Sequence, residues 1–173
     1  GGYVAFSVYL PTYLRNAYAL AQDNAAMKMA GFVLLAVVLR PVGGWLSDRV
    51  APLGVLAVSF AVLTVGAVGQ ATTPSLTPVG TVTFLAMAAA LGAASGAVFA
   101  LVAQQAPAEK VGSVTGIVGA AGGLGGFVPP LLMGSIYEHT NSYAGGLHAL
   151  AVVAGLAVAG TAIGLWRRPA RRG

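Results

Sequence analysis

Apolar residues run along this chain in six long blocks, which are separated by short clusters of charged residues, prolines and small polar residues. Each block is close to the roughly 20 residues that a helix needs to cross a hydrocarbon core of about 30 Å. Because the breaks between blocks are short, consecutive helices are expected to pack as antiparallel neighbours. The predicted spans are about 1–19, 24–47, 52–72, 77–104, 111–137 and 142–166. The pattern therefore predicts an all-α membrane protein with six transmembrane helices.

The composition agrees with a membrane protein and excludes several other classes. Of the 173 residues, 57% are hydrophobic and 8% are charged, whereas a soluble domain carries about 25% charged residues. The lack of cysteine excludes disulfides and thiolate metal sites. No pairing of a nucleophile with a base is visible, and no cluster of histidines and carboxylates has metal-ligand spacing. We therefore expect neither an enzyme nor a bound metal or other cofactor.

Basic residues predict how the chain is oriented in the membrane. The net charge of +5 does not indicate nucleic-acid binding, because four of the nine basic residues fall in a tail at 167–173, namely Arg167, Arg168, Arg171 and Arg172. Short cytoplasmic loops are enriched in lysine and arginine. If both ends of the chain are cytoplasmic, Arg49, Lys110 and the tail lie inside, and only Arg15 and Lys28 lie outside. The distribution therefore favours cytoplasmic ends.

Arg40 is the one charged residue that falls deep within a predicted span. It lies eight residues before Asp48, which places it about 12 Å from the helix end and near the bilayer midplane. The four carboxylates of the chain all fall at segment ends: Asp23, Asp48, Glu109 and Glu138. Arg40 is therefore either an anion site or the partner of a carboxylate outside this chain. A guanidinium, with its planar fork of donors, suits planar oxyanions such as carboxylate or nitrate.

The segment GGWLSDR, residues 43–49, connects the second and third spans. Gly43 and Gly44 allow two helices to approach closely, Asp48 can cap a helix N-terminus, and Arg49 can hold a carboxylate. An ordinary polar turn is the alternative interpretation. The segment resembles the G-x-x-x-D-R loop signature of the major facilitator superfamily, and this resemblance implies a gating loop that stabilises the outward-open form.

The segment GIVGAAGGLGGFVPP, residues 116–130, is unusually rich in glycine. It lacks the Gly-Lys-Ser/Thr ending of a P-loop and the strand context of a dinucleotide fold, so nucleotide binding is excluded. In lipid, its small residues recur at i and i+4 and allow helices to pack closely. Two interpretations stay open: close packing with a hinge, or bare backbone that lines a substrate path. Pro129 and Pro130 kink the helix or free backbone carbonyls below the run.

Four further polar residues are candidates for minor roles. His139 and His148 flank the break between the last two spans, where interfacial hydrogen bonding is a simpler interpretation than a proton relay. Ser113 and Thr115 precede the glycine run. They either line a path at that end of the helix or donate back to its carbonyls.

The glycine run is similar to the nitrate signature in the second half of the nitrate/nitrite porter family, a branch of the major facilitator superfamily. Arg40 in LRPVGGWLSDR resembles the substrate-binding arginine of that family's eighth helix, and GGYVAFSVYLPTYL is similar to its seventh helix. The likeness extends over essentially all 173 residues. By this resemblance the chain is similar to the C-terminal half of such a porter.

This resemblance implies a twelve-helix transporter in a bacterial plasma membrane, made of two six-helix halves. Nitrate or nitrite would lie between two arginines, one from each half, and between aromatic rings. Carried onto this chain, Arg40 is the second anion ligand, and the signature glycines are Gly116, Gly119, Gly122, Gly123, Gly125 and Gly126. The first half, with its own arginine, and the aromatic residue of the seventh helix are then missing from this chain.

Three alternatives stay open beside a nitrate/nitrite transporter. The cargo can be another small anion such as a carboxylate, the chain can be an inactive membrane fragment of a split gene, or two copies can form a homodimer. No buried carboxylate is expected in this chain for proton coupling, which weakly favours exchange of nitrate for nitrite over proton symport.

Overall fold

The structure is a computed structural model, and it describes residues 2–166. Within that range the chain forms six long α-helices, which confirms the predicted all-α fold. The helices are α1 (Gly2–Tyr18), α2 (Gln22–Arg49), α3 (Pro52–Ala71), α4 (Thr81–Gln105), α5 (Val111–Thr140) and α6 (Ala144–Trp166). A short helical turn precedes α4 (Leu76–Gly80), and another precedes α5 (Ala108–Lys110). The tail at 167–173, with its four arginines, lies outside the described residues.

The helices have the length and composition of membrane spans. Five segments are long and apolar enough to cross a bilayer, and they contain α2, α3, α4, α5 and α6. α1 is shorter, with 17 residues, which correspond to about 25 Å along the helix axis. The chain is therefore a multi-pass membrane protein.

The packing of the helices centres on α4. α2 packs along α4, and α3 packs along both α4 and α6, while α1 lies against α2 and α5. α4 also contacts α1 and α5, so it lies in the middle of the described bundle.

The closest helix packing lies between α2 and α4, where glycines bring the two backbones together. A Cβ atom added to Gly43 would overlap the backbone of Ala93, and one added to Gly92 would overlap the carbonyl oxygen of Ala36. Small residues at a helix interface permit this kind of backbone contact in membranes. The sequence alone directs attention to the glycine run of α5 instead.

Residues 43–49 are helical, as the predicted span 24–47 requires for 43–47, and the interpretation of the whole segment as a connecting loop is wrong. α2 continues through Arg49, and the Ser47 hydroxyl donates to the carbonyl of Gly43 at 2.7 Å. Only Val50 and Ala51 separate α2 from α3, because Pro52 begins the next helix at its first position, where a missing N–H costs no helical hydrogen bond.

Candidate anion-binding site

Arg40 lies in the interior of α2, nine residues before Arg49 at the helix end, or about 14 Å along the axis. Its side chain is half-buried. Within residues 2–166, Arg40 forms no ion pair, and all four carboxylates there are exposed. The structure thus places a cation in the interior of an apolar helix, without a carboxylate partner from the described part of the chain.

The aromatic ring of Phe99, on α4, lies against the Arg40 guanidinium. The Arg40 Cζ atom lies 5.4 Å from the centroid of the Phe99 ring, within the range of a cation–π interaction. Reasoning from the sequence missed Phe99. Phe99 lies three residues after Gly96, on the helix face of α4 that carries small residues. This spacing could have predicted that Phe99 faces a neighbouring helix.

The backbone of Arg40 is held by the same helix. A Cβ atom added to Gly96 would overlap the Arg40 carbonyl oxygen and would lie 2.6 Å from the Gly44 backbone nitrogen. Gly96 therefore fits against the turn of α2 that carries both Arg40 and Gly44. This contact gives Gly44 a packing role in addition to its predicted place in the gating segment.

The signature glycines of α5 are mostly open to their surroundings. A Cβ atom added to any of five glycines of this helix would meet nothing within 4 Å: Gly112, Gly116, Gly119, Gly123 and Gly125. Gly122 is half-buried and Gly126 is buried. α5 packs mainly against α1, and α2 is not among its main partners. The described helices therefore do not close the glycine run around Arg40.

The remaining predicted site residues lie at helix ends or in open surroundings. Asp48 is exposed, and the Arg49 Cζ atom lies 4.5 Å from the centroid of the Trp45 ring on the same helix. The Nδ1 atoms of His139 and His148 lie 2.8 Å and 2.7 Å from carbonyl oxygens one turn earlier. These histidine contacts agree with interfacial hydrogen bonding.

Ser113 and Thr115 make no hydrogen bond with any part of the chain that the structure describes, so they do not donate back to the α5 carbonyls. Ser113 is exposed, and Thr115 is half-buried.

Two cavities occur among the helices, and neither contains Arg40. One of about 150 Å³ lies between α1, α4, α5 and α6, with Phe6, Pro129 and Met133 in its lining and no charged residue. The other, of about 210 Å³, lies near Lys28 and Phe32. Arg40 therefore lines neither of these two cavities and is half-buried between helices.

Six long apolar helices, one of which carries an arginine in its interior, are the features of a multi-pass membrane transporter. The sequence pattern of the Major Facilitator Superfamily matches residues 1–173, and the chain belongs to this family.

Similar proteins are known from several bacteria. The chain is 49% identical over 164 residues to the "Probable nitrate/nitrite transporter NarK2" of Mycobacterium tuberculosis, a match that covers 94% of this chain and 42% of the relative. It is 40% identical over 156 residues to the "Nitrite extrusion protein" of Bacillus subtilis, covering 89% of this chain and 38% of the relative. The chain thus spans about two fifths of the length of these relatives. No solved structure matches it.

Proposed function

We propose that this chain supplies the second six-helix half of a transporter that moves nitrate or nitrite by alternating access, with Arg40 as the anion ligand. The observation that carries the proposal is the position of Arg40, which lies in the interior of the apolar helix α2, is half-buried, and forms no ion pair within residues 2–166. The names of the Mycobacterium and Bacillus relatives support the choice of anion.

The chemistry of the side chain fits a small planar oxyanion. A charged residue within the hydrocarbon core is expensive and usually faces a bundle interior or an aqueous cavity. The guanidinium stays protonated and donates through a planar fork that matches two oxygens of nitrate, nitrite or carboxylate. Because Arg40 is half-buried and lines neither cavity of this half, the anion would bind between this half and a second set of six helices.

The glycine run would form one wall of the anion path. Gly116, Gly119 and Gly123 have open space beside the helix backbone, which leaves room there for an anion or for the close approach of a further helix. This wall would also include Gly122, Gly125 and Gly126 as carried over from the family resemblance. The inner end of α2, with Gly43, Gly44, Asp48 and Arg49, would act as the gating segment on the cytoplasmic side.

Exchange of nitrate for nitrite is the mode of transport that this half favours. Intramembrane proton relays use buried Asp, Glu or His, and the carboxylates of residues 2–166 are exposed near helix ends. Both ends of the segment would lie in the cytoplasm of a bacterial cell, as the distribution of lysine and arginine indicates.

Substitution of Arg40 tests the proposed function. In the twelve-helix protein formed by this chain and a first six-helix half, we expect Arg40→Lys to lower nitrate uptake by more than about 10-fold, because an ammonium cannot form the bidentate contact. The assay is uptake by cells that lack their own nitrate transport. Arg15→Lys, at the exposed end of α1, is the matched control. Unchanged uptake by Arg40→Lys would exclude Arg40 as a ligand.

Two alternatives give different results in the same system. A transporter for a small carboxylate would take up labelled formate or acetate through Arg40 and show little nitrate uptake. An inactive fragment would fail to associate with a first half when the two are co-expressed with separate tags, and Arg40→Lys would then change nothing.

A further inference from the structure

We infer that Phe99 is a positioning residue, which holds the Arg40 guanidinium where an anion can reach its N–H groups. This inference rests on the proposed function of Arg40. It assigns a role to an aromatic side chain of α4. Arg40 lies on α2 and the glycine run lies on α5, so α4 is a third helix with a part in the site.

Two contacts from one face of α4 fix Arg40 at both of its ends. Gly96 fits against the Arg40 carbonyl, and the Phe99 ring lies 5.4 Å from the Arg40 Cζ atom. Residues three apart lie on the same face of a helix, so both contacts follow from a single packing of α4 on α2. The backbone contact fixes where the side chain begins, and the ring fixes where it ends.

An aromatic partner suits an anion ligand better than a carboxylate does. A carboxylate would occupy the N–H donors of the guanidinium and would compete with the transported anion. A ring attracts the cation through its quadrupole while the donors at the edge of the guanidinium stay free. Without a partner, a long arginine side chain extends toward water. Binding of an anion would then require the Arg40 side chain to return to the site and lose rotamer freedom, which weakens the affinity.

The effect on anion affinity is expected to be moderate. A cation–π interaction changes an equilibrium constant by between about 2-fold and 30-fold, depending on how far the pair is removed from water. Arg40 and Phe99 are both half-buried, so an intermediate effect is expected. Loss of the interaction should raise the KM for nitrate and change kcat little, because the guanidinium itself is still present.

Fluorinated phenylalanines at Phe99 test the inference in the twelve-helix protein. Mono-, di- and trifluorophenylalanine keep the shape of the ring and progressively weaken its attraction for a cation. We expect the nitrate KM to rise stepwise, to about 10-fold for the trifluoro ring, with kcat nearly constant. The same series at Phe60, a half-buried core residue of α3, is the control and should leave the KM unchanged.

The possible results separate this inference from the proposed function. A flat KM along the series at Phe99, together with loss of uptake in Arg40→Lys, would overturn the positioning role alone. Unchanged uptake in Arg40→Lys would overturn the proposed function instead. Phe99→Trp keeps a ring with a strong quadrupole and should retain a KM near that of the unaltered protein, whereas Phe99→Leu should raise it.

Discussion

Arg40 shows at the residue scale how much of a site can be predicted from a sequence. Its depth follows from the fixed rise of an α-helix, so counting residues from Asp48 is sufficient. Its contact with Phe99 joins positions far apart along the chain and depends on how α4 packs against α2. The depth of Arg40 within its helix is therefore predictable from the sequence, whereas its contact with Phe99 requires the packing of α4 on α2.

Gln70 is a second polar residue whose importance appears only in the folded chain. Its side chain is fully buried; Nε2 donates to the Gly80 carbonyl at 2.9 Å, and Oε1 accepts from the Tyr18 hydroxyl at 3.3 Å. These bonds join α1, α3 and the turn before α4 at the end of the bundle far from Arg49.

Substitution Gln70→Leu should destabilise the protein by about 1–2 kcal/mol, because it leaves the Gly80 carbonyl without this donor. The measurement is the free energy of unfolding in detergent, from denaturation followed by circular dichroism. Gln105→Leu, at the exposed end of α4, is the control and should change this free energy by less than about 0.5 kcal/mol. Equal effects of the two substitutions would contradict the role of Gln70.

At the scale of elements, the six apolar blocks predict six helices because each block has the length of a span. The segment GGWLSDR misled the prediction because glycine, serine and aspartate are typical of turns. In the structure these residues continue α2 to Arg49, where small residues are needed for contact with α4.

Glycine also has two different uses in these helices, and only packing distinguishes them. Gly92 and Gly96 allow α4 to touch the backbone of α2, whereas Gly116 faces open space. The G-x-x-x-G spacing of Gly92 and Gly96 resembles a helix-packing motif, but the denser run in α5 is more conspicuous in the sequence.

Substitution to alanine at two glycines distinguishes these uses. Gly96→Ala should lower the free energy of unfolding by about 1–3 kcal/mol, because its methyl group would overlap the Arg40 carbonyl. Gly116→Ala, the matched control in α5, should leave the stability of this chain unchanged or raise it by up to about 1 kcal/mol, since alanine favours helix. Thermal or denaturant unfolding of this chain in detergent measures both. A destabilisation by Gly116→Ala as large as that by Gly96→Ala would contradict the assignment.

At the scale of the whole molecule, the described chain presents its candidate site on open faces. Large apolar side chains of α5 are exposed beside the glycine run, including Ile117, Leu124 and Phe127, each at least 65% exposed. Arg40 is likewise outside both cavities. The sequence predicts the helices that carry Arg40 and the glycine run, whereas the open face beside the run is visible only in the folded chain.

The most direct test of the account is counterflow across proteoliposomes that contain the twelve-helix protein formed with this chain. Vesicles loaded with nitrite are diluted into buffer with or without nitrate, and nitrite efflux is measured. We predict that external nitrate accelerates nitrite efflux by more than about 10-fold, and that Arg40→Lys abolishes this acceleration while Arg15→Lys retains it. Efflux that is independent of external nitrate, or that Arg40→Lys leaves unchanged, would contradict the assignment of this chain as half of a nitrate/nitrite exchanger.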